Sequence, residues 1–170
     1  MSAFPLTRRA ALAAFGALFV PAWAEVTSAT AQPGLRIRAI KVDVSPIRAS
    51  MGDPTAASVQ EALPGALAQA LAPYMSPGDR GGATLVARID YLYLGQSSGG
   101  PGFFHQTQDT INGTLVLRGP RGVVADVPLR AISSYFPMAV DQALVERGLY
   151  YRVTALAQAF AGWAPRELGL

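Results

Sequence analysis

Residues 139–164, AVDQALVERGLYYRVTALAQAFAGWA, decide how the rest of the chain has to fold. Within them Val145, Leu149, Val153, Leu156, Phe160 and Trp163 recur at steps of four, four, three, four and three, which predicts one apolar face of a long α-helix over 141–163. Such a face is stable only when laid on something equally apolar. The segments upstream of it read as strands, so the expected picture is a small antiparallel sheet with this helix across one face.

The clearest strand is 84–94, TLVARIDYLYL. Strict alternation sends Leu85, Ala87, Ile89, Tyr91 and Tyr93 to one face and Val86, Arg88, Asp90, Leu92 and Leu94 to the other. Residues 110–117 are its hairpin partner, with Ile111, Gly113, Leu115 and Leu117 in phase. Setting Leu94 opposite Thr110 brings Ile89 to Leu115 and Tyr91 over Gly113, so that the apolar faces coincide. The turn Gly119-Pro120-Arg121-Gly122 leads into a third strand over 123–135. There Leu117 pairs with Val123, Ala125 with Leu115 and Val127 with Gly113. Pro128 lacks an amide donor, which predicts an edge or bulged position for that strand.

Nearer the front, 35–44 alternates with a change of phase after Ala39. Leu35 and Ile37 lead, then Ile40, Val42 and Val44, a slip that a β-bulge absorbs. Ser45-Pro46 ends this strand, and 50–55 reads as loop. Val59, Leu63, Leu67 and Leu71 then repeat every four residues, and Ser58-Val59-Gln60-Glu61 fits a capping box. Pro64 lies too deep for a first-turn proline under that cap, so the regular helix is expected to restart at Pro64 and run over 64–75. The result is an α+β two-layer sandwich of β-α-β-β-β-α order, with a mostly antiparallel sheet and two helices on one face.

Residues 1–31 stand apart from this domain. Arg8 and Arg9, the uncharged run 10–22 and the small-residue patterns Ala22-Trp23-Ala24 and Ala29-Thr30-Ala31 describe a secretory signal peptide. Thr7-Arg8-Arg9 resembles the twin-arginine export signal, with Leu12 in place but Ala11 and Ala13 where that pattern has Phe and Lys. An ordinary signal carrying two arginines is the other reading. The mature chain, 32–170, is expected to be one domain, periplasmic or secreted. Its loss of two arginines and Glu25 lowers the formal net charge from +3 to +2. The remaining basic residues are scattered, so the composition does not point to nucleic acid. With no cysteine, the chain has neither disulfides nor thiolate metal ligands, nor an acylated cysteine to serve as a stable membrane anchor.

Gly95-Gln96-Ser97-Ser98-Gly99 matches the nucleophile elbow G-x-S-x-G, with His105 and Asp109 downstream. Yet Gly100-Pro101-Gly102 follows where the elbow demands a helix. His105 is the only histidine, too few for a histidine-rich metal site, and no metal or cofactor is expected. The proposed pairing sets Asp90 and Asp126 on either side of Thr114, near the separation of two glycosidase carboxylates. Arg88 and Arg130 share that face, the composition of a solvated sheet surface. Tyr74, Tyr91, Tyr93, Tyr150 and Tyr151 would line any apolar pocket between sheet and helices, or more simply belong to the core and its edge. The long 95–109 loop carries Phe103 and Phe104 in a Gly/Ser-rich setting. A loop of that kind is often a binding element. Leu92, Leu94, Val116, Val124 and Ile132 form a second apolar patch on the outer sheet face, suited to docking or to a homodimer.

The element order, together with the first helix EALPGALAQAL, resembles the periplasmic auxiliary components of ABC-type transport and related small envelope-assembly modules. The resemblance spans about 35–163 and implies their fold and a non-enzymatic accessory role, with no functional residue carried over. The expected function is binding of an envelope protein partner or a small ligand through Phe103, Phe104, His105, Leu92, Leu94 and Val116. Two other readings stand beside it: a hydrolase using Ser97 and His105 or the Asp90/Asp126 pair, and a carrier of an apolar ligand.

Overall fold

A computed structural model describes residues 35–95, 107–135 and 142–170, with the side chains of 107, 135 and 142–147 outside the description. Its elements are β1 (Ile37–Asp43), α1 (Ser45–Met51), α2 (Asp53–Ala70), a 3-10 turn (Ala72–Tyr74), β2 (Ala83–Tyr93), β3 (Thr107–Gly119), β4 (Gly122–Tyr135) and α3 (Gln142–Glu167). The sheet order is β1-β2-β3-β4, with β1 parallel to β2 and the other two pairings antiparallel. The α+β sandwich predicted from the sequence is therefore the fold. The signal-like segment 1–31 lies outside the described residues.

The first departure is α1. Ser45-Pro46 does end β1, but a proline in the first turn also suits a helix start, and a short helix begins there. Asp43 Oδ1 accepts a hydrogen bond from the Ser45 amide at 3.0 Å. Hydrogen bonds from Ser45, chiefly its side chain, hold the Asp43 carboxyl below its ordinary value, with Arg88 assisting. The second departure is α2, which runs unbroken through Pro64 instead of restarting there. It starts eleven residues earlier, after Gly52, whose φ of 83° turns the chain between the two helices and favours glycine. Ser58 is mid-helix and donates back to the Pro54 carbonyl at 3.0 Å, so no capping box forms. Pro64 is tolerated because the carbonyl deprived of its amide belongs to Gln60, an exposed residue that water can serve. The predicted four-residue repeat is buried as expected, with Val59, Leu63, Leu67 and Leu71 all inside.

The apolar stripe of α3 is also inside: Val153, Leu156 and Phe160 are buried, joined by Ala157, Ala161 and Ala164. Those small residues let α3 come close to α2, against which it packs while also covering β4. Leu149 is partly buried at the core margin. Trp163, assigned to that face by spacing, is instead 46% exposed, with the Arg166 guanidinium 5.2 Å from its ring centroid. The helix meets the sheet along a narrower stripe than the step pattern implied, and alanines fill the place given to the indole.

The decisive correction lies in β2. Register is regular from Thr84 opposite Arg118 to Ile89 opposite Gly113, and then Tyr91, not Asp90, pairs with Asn112. This bulge at Asp90 reverses the alternation. Leu92 turns into the core, Leu94 packs partly against it, and Tyr91 and Tyr93 turn out. Before the bulge the predicted facing was right but the register was displaced by two residues, since Ala87 and not Ile89 meets Leu115. The β3–β4 pairing shows the same displacement, with Leu117 opposite Ala125 and a shift between Leu117 and Arg118. Phase survived both times because two residues is one full period of a strand.

At Gly113 the neighbouring strand β2 leaves no room for a side chain. A Cβ there would lie 2.4 Å from the Arg88 carbonyl oxygen and 3.0 Å from Ile89 Cδ1. Gly113→Ala must therefore push the two central strands apart. It should cost about 1–3 kcal/mol in chemical denaturation, the range for overpacking, and a melting curve indistinguishable from the parent would refute the close approach.

Each border of the sheet is occupied in part. On β4, Pro128 sits opposite Thr114 and offers no amide donor to an incoming strand. On β1, Met75 bridges Ile37, the Ser76 amide donates to the Ile37 carbonyl at 2.8 Å, and Gln60 Nε2 donates to the Val42 carbonyl at 3.2 Å.

Candidate functional site

Two arrangements draw charge or aromatic surface into places the core does not require. The first is a buried knot at the base of the β2–β3 connection. Asp109 is 1% exposed on the inner side of β3, in phase with Ile111 and Gly113. Its carboxylate accepts from Arg152 Nε at 2.8 Å, from Arg152 Nη2, and from the Gly95 amide at 2.9 Å. Arg152 Nη2 also donates to the Gly95 carbonyl at 2.7 Å. One guanidinium thus joins α3 to both ends of the connecting segment 96–106. Asp109 thus serves a structural knot, and His105, its proposed triad partner, lies outside the described residues.

The second arrangement is the outer face of the sheet, opposite the helices. Strand pairing sets Tyr93, Thr110 and Ile132 in one row and Tyr91, Asn112 and Arg130 in the next. Tyr91 and Tyr93 are 50% and 49% exposed, Ile132 is exposed, and Thr110 between them is buried. The Asn112 Oδ1 is buried with no hydrogen-bond partner among the described residues. In the following rows Arg88 Nε pairs with Asp90 Oδ1 at 2.9 Å, and the Thr114 hydroxyl donates to Asp90 Oδ2 at 3.3 Å.

Several expectations are revised by this geometry. Leu92 and Leu94 do not belong to the outer patch, because the bulge carries them inward. Val116 stays on the outer side, half-buried opposite Asp126, with Val124 and Ile132 exposed. Asp90 and Asp126 do not flank Thr114: Thr114 lies between Arg88 and Pro128, and Asp90 is tied to Arg88. The tyrosines offered as a pocket lining, Tyr91, Tyr93, Tyr150 and Tyr151, are all exposed, with the last two edge to face 6.2 Å apart on α3. Tyr74 is partly buried against the core. Ser97, Phe103, Phe104 and His105 lie outside the described residues. Among the described residues no group of three histidines or carboxylates could hold a metal, and no helix is long and apolar enough to cross a membrane.

The residues that sequence reasoning missed are Arg152 and the outward tyrosines. Arg152 had a signal: it stands three residues after Leu149 and four before Leu156, a charge at the margin of an apolar stripe. Asp109 had the matching one, an acid in phase with the core side of β3.

No family model and no curated protein matches the chain. Among solved structures it is similar to a candidate lipoprotein of Caulobacter crescentus, at 12% identity over 76% of this chain and 87% of that one, with a TM-score of 0.49. It is similar also to the rare lipoprotein B of Shewanella oneidensis, at 10% identity over 76% and 92% of the two chains, with a TM-score of 0.44. A minor lipoprotein of Acinetobacter baumannii gives 13% identity over 79% and 92%, with a TM-score of 0.41. None of these three names refers to ABC-type transport, the group that the element order resembles.

Proposed function

We propose that the exported chain is a non-enzymatic accessory protein of the bacterial envelope that binds a protein partner through its outer sheet face and the adjoining segment 96–106. The observation that carries this reading is the bulge at Asp90. Without it, alternation would bury Tyr91 and Tyr93 and expose Leu92; with it, two aromatic rings stand in solvent while the leucine completes the core. A bulge that re-aims side chains in this way is commonly part of a functional surface, and tyrosine and arginine are the residue types most concentrated at the centres of protein interfaces. The Asp109–Arg152 knot lies on the helix side of the sheet and holds together Gly95 and Asp109, the described residues on either side of segment 96–106. The signal-like sequence of residues 1–31, with Arg8 and Arg9, supports a periplasmic or secreted address.

Photo-crosslinking in living cells of the source organism tests this. A photoreactive residue at Tyr93 or Phe103 should capture one discrete partner, and the same residue at Arg121, on the distant β3–β4 turn, should not. Equal capture from all three positions, or none from Tyr93 and Phe103, would refute the proposed surface.

A further inference from the structure

Basic residues that are dispersed along the sequence meet at the end of the sheet where β2 begins and β3 finishes. Thr84 and Val86 alternate with the buried Ala83, Leu85 and Ala87, so their row partners lie on the outer face. Arg118 is the partner of Thr84 on β3, and Lys41 is the partner of Val86 on β1. The register shift between Ile37 and Ala39 leaves Arg38 without a partner on β2, and its Nε reaches over to the Thr84 hydroxyl at 3.2 Å. Two guanidinium groups thus flank one threonine. Arg36 lies beside the start of β2, where its carbonyl accepts from the Ala83 amide at 2.7 Å, and Arg121 occupies the turn after β3.

All five of these cations are exposed, and none makes an ion pair among the described residues. The acids sit elsewhere or are few. Asp43 and Asp90 lie farther along the face around Arg88, which leaves Asp126, opposite Val116, as the carboxylate on this part of the sheet. In the loop before β2, Asp79 stands next to Arg80, and their charges offset one another. Apolar surface adjoins the cations. Val123, paired with Arg118, is 61% exposed, and Val124 and Pro120 are exposed at the same hairpin tip.

We infer that this end of the outer face docks reversibly on a bilayer carrying anionic phospholipids, with the cations at the phosphates and Val123 and Val124 at the interface. Unpaired cations beside exposed apolar residues are the chemistry of interfacial attachment. The cations spread over β1, β3 and the turn, two strand spacings or about 10 Å across, and do not converge on a point. A bilayer supplies phosphate over an area and needs no pocket, which favours it over an acidic protein segment. Nucleic acid is disfavoured by the signal-like segment 1–31, which directs the chain out of the cytoplasm. The site lies beyond the proposed protein contact, since Thr84 and Tyr93 are about 30 Å apart along β2.

Co-sedimentation of the exported protein with vesicles gives the test. It should bind vesicles of phosphatidylcholine and phosphatidylglycerol in a two-to-one mixture, bind pure phosphatidylcholine far less, and be released by salt. Arg38→Gln and Arg118→Gln should each weaken partitioning about fivefold, the effect of one cation near an anionic surface, and the double variant about twentyfold or more. Val123→Ser should weaken it as well. Arg130→Gln, which removes the same charge near Tyr91, should leave it nearly unchanged. These four positions are exposed, and an unshifted melting temperature checks that each variant is folded. Equal binding to both vesicle types, full binding by the double variant, or an equal loss from Arg130→Gln overturns the inference. Retention on a DNA duplex or an acidic peptide without vesicle binding overturns it too.

Discussion

Arg152→Met alone should destabilise the protein by about 3–5 kcal/mol, because it leaves the Asp109 carboxylate buried without its counter-charge. Asp109 is 1% exposed, so water cannot take over the role of the guanidinium without opening the structure. Asp109→Leu alone should also destabilise the protein, by removing the carboxylate that Arg152 and the Gly95 amide share. Combining Arg152→Met with Asp109→Leu should recover most of the loss, since an apolar pair of similar volume carries no desolvation penalty. Urea denaturation of the four proteins as a double-mutant cycle measures this coupling. Single-variant losses that simply add would show that the two charges act independently. Hydrogen exchange offers a second readout: the Gly95 amide, which donates to Asp109 at 2.9 Å, should exchange much faster in either single variant.

Phe160→Ala should cost about 3–5 kcal/mol as well, for a different reason. Phe160 is among the largest fully buried side chains, at the centre of the α3 stripe that closes the core. Its neighbours on that stripe, Ala157, Ala161 and Ala164, are too small to collapse into the vacated volume, so a cavity remains and adds to the lost transfer energy. Phe160→Leu should cost much less. A melting curve unmoved by Phe160→Ala would contradict the placement of α3 on the sheet.

These two sites differ in how far the sequence revealed them. Phe160 announces itself through periodicity, and so do Leu156, Leu63 and Leu67, because a helix face is written at fixed intervals. Fold class and element order followed from such intervals. The Asp90 bulge is not written that way. Alternation through 84–94 is equally regular whether the strand continues or slips, and only the rest of the sheet decides. The deciding contact is three strands wide: Leu92 gains a place beside Ile111 and Ala131 in the core, and Tyr91 and Tyr93 gain water for their hydroxyls. Trp163 failed in the opposite direction. Its spacing was right to within one step of the helix, but the seam with α2 accepts alanine there and not an indole. The ion pair was half legible, since Asp109 and Arg152 each interrupt an apolar pattern. Neither names the other across 43 residues.

The partly occupied borders of the sheet also bear on self-association. A margin where an amide is missing or already engaged is a poorer template for an incoming strand, so crowded molecules find fewer ladder positions on which a fibril could grow. Pro128 at one margin, and Ser76 with Gln60 at the other, thereby disfavour strand addition at those positions while aromatic residues stay exposed on the outer sheet surface.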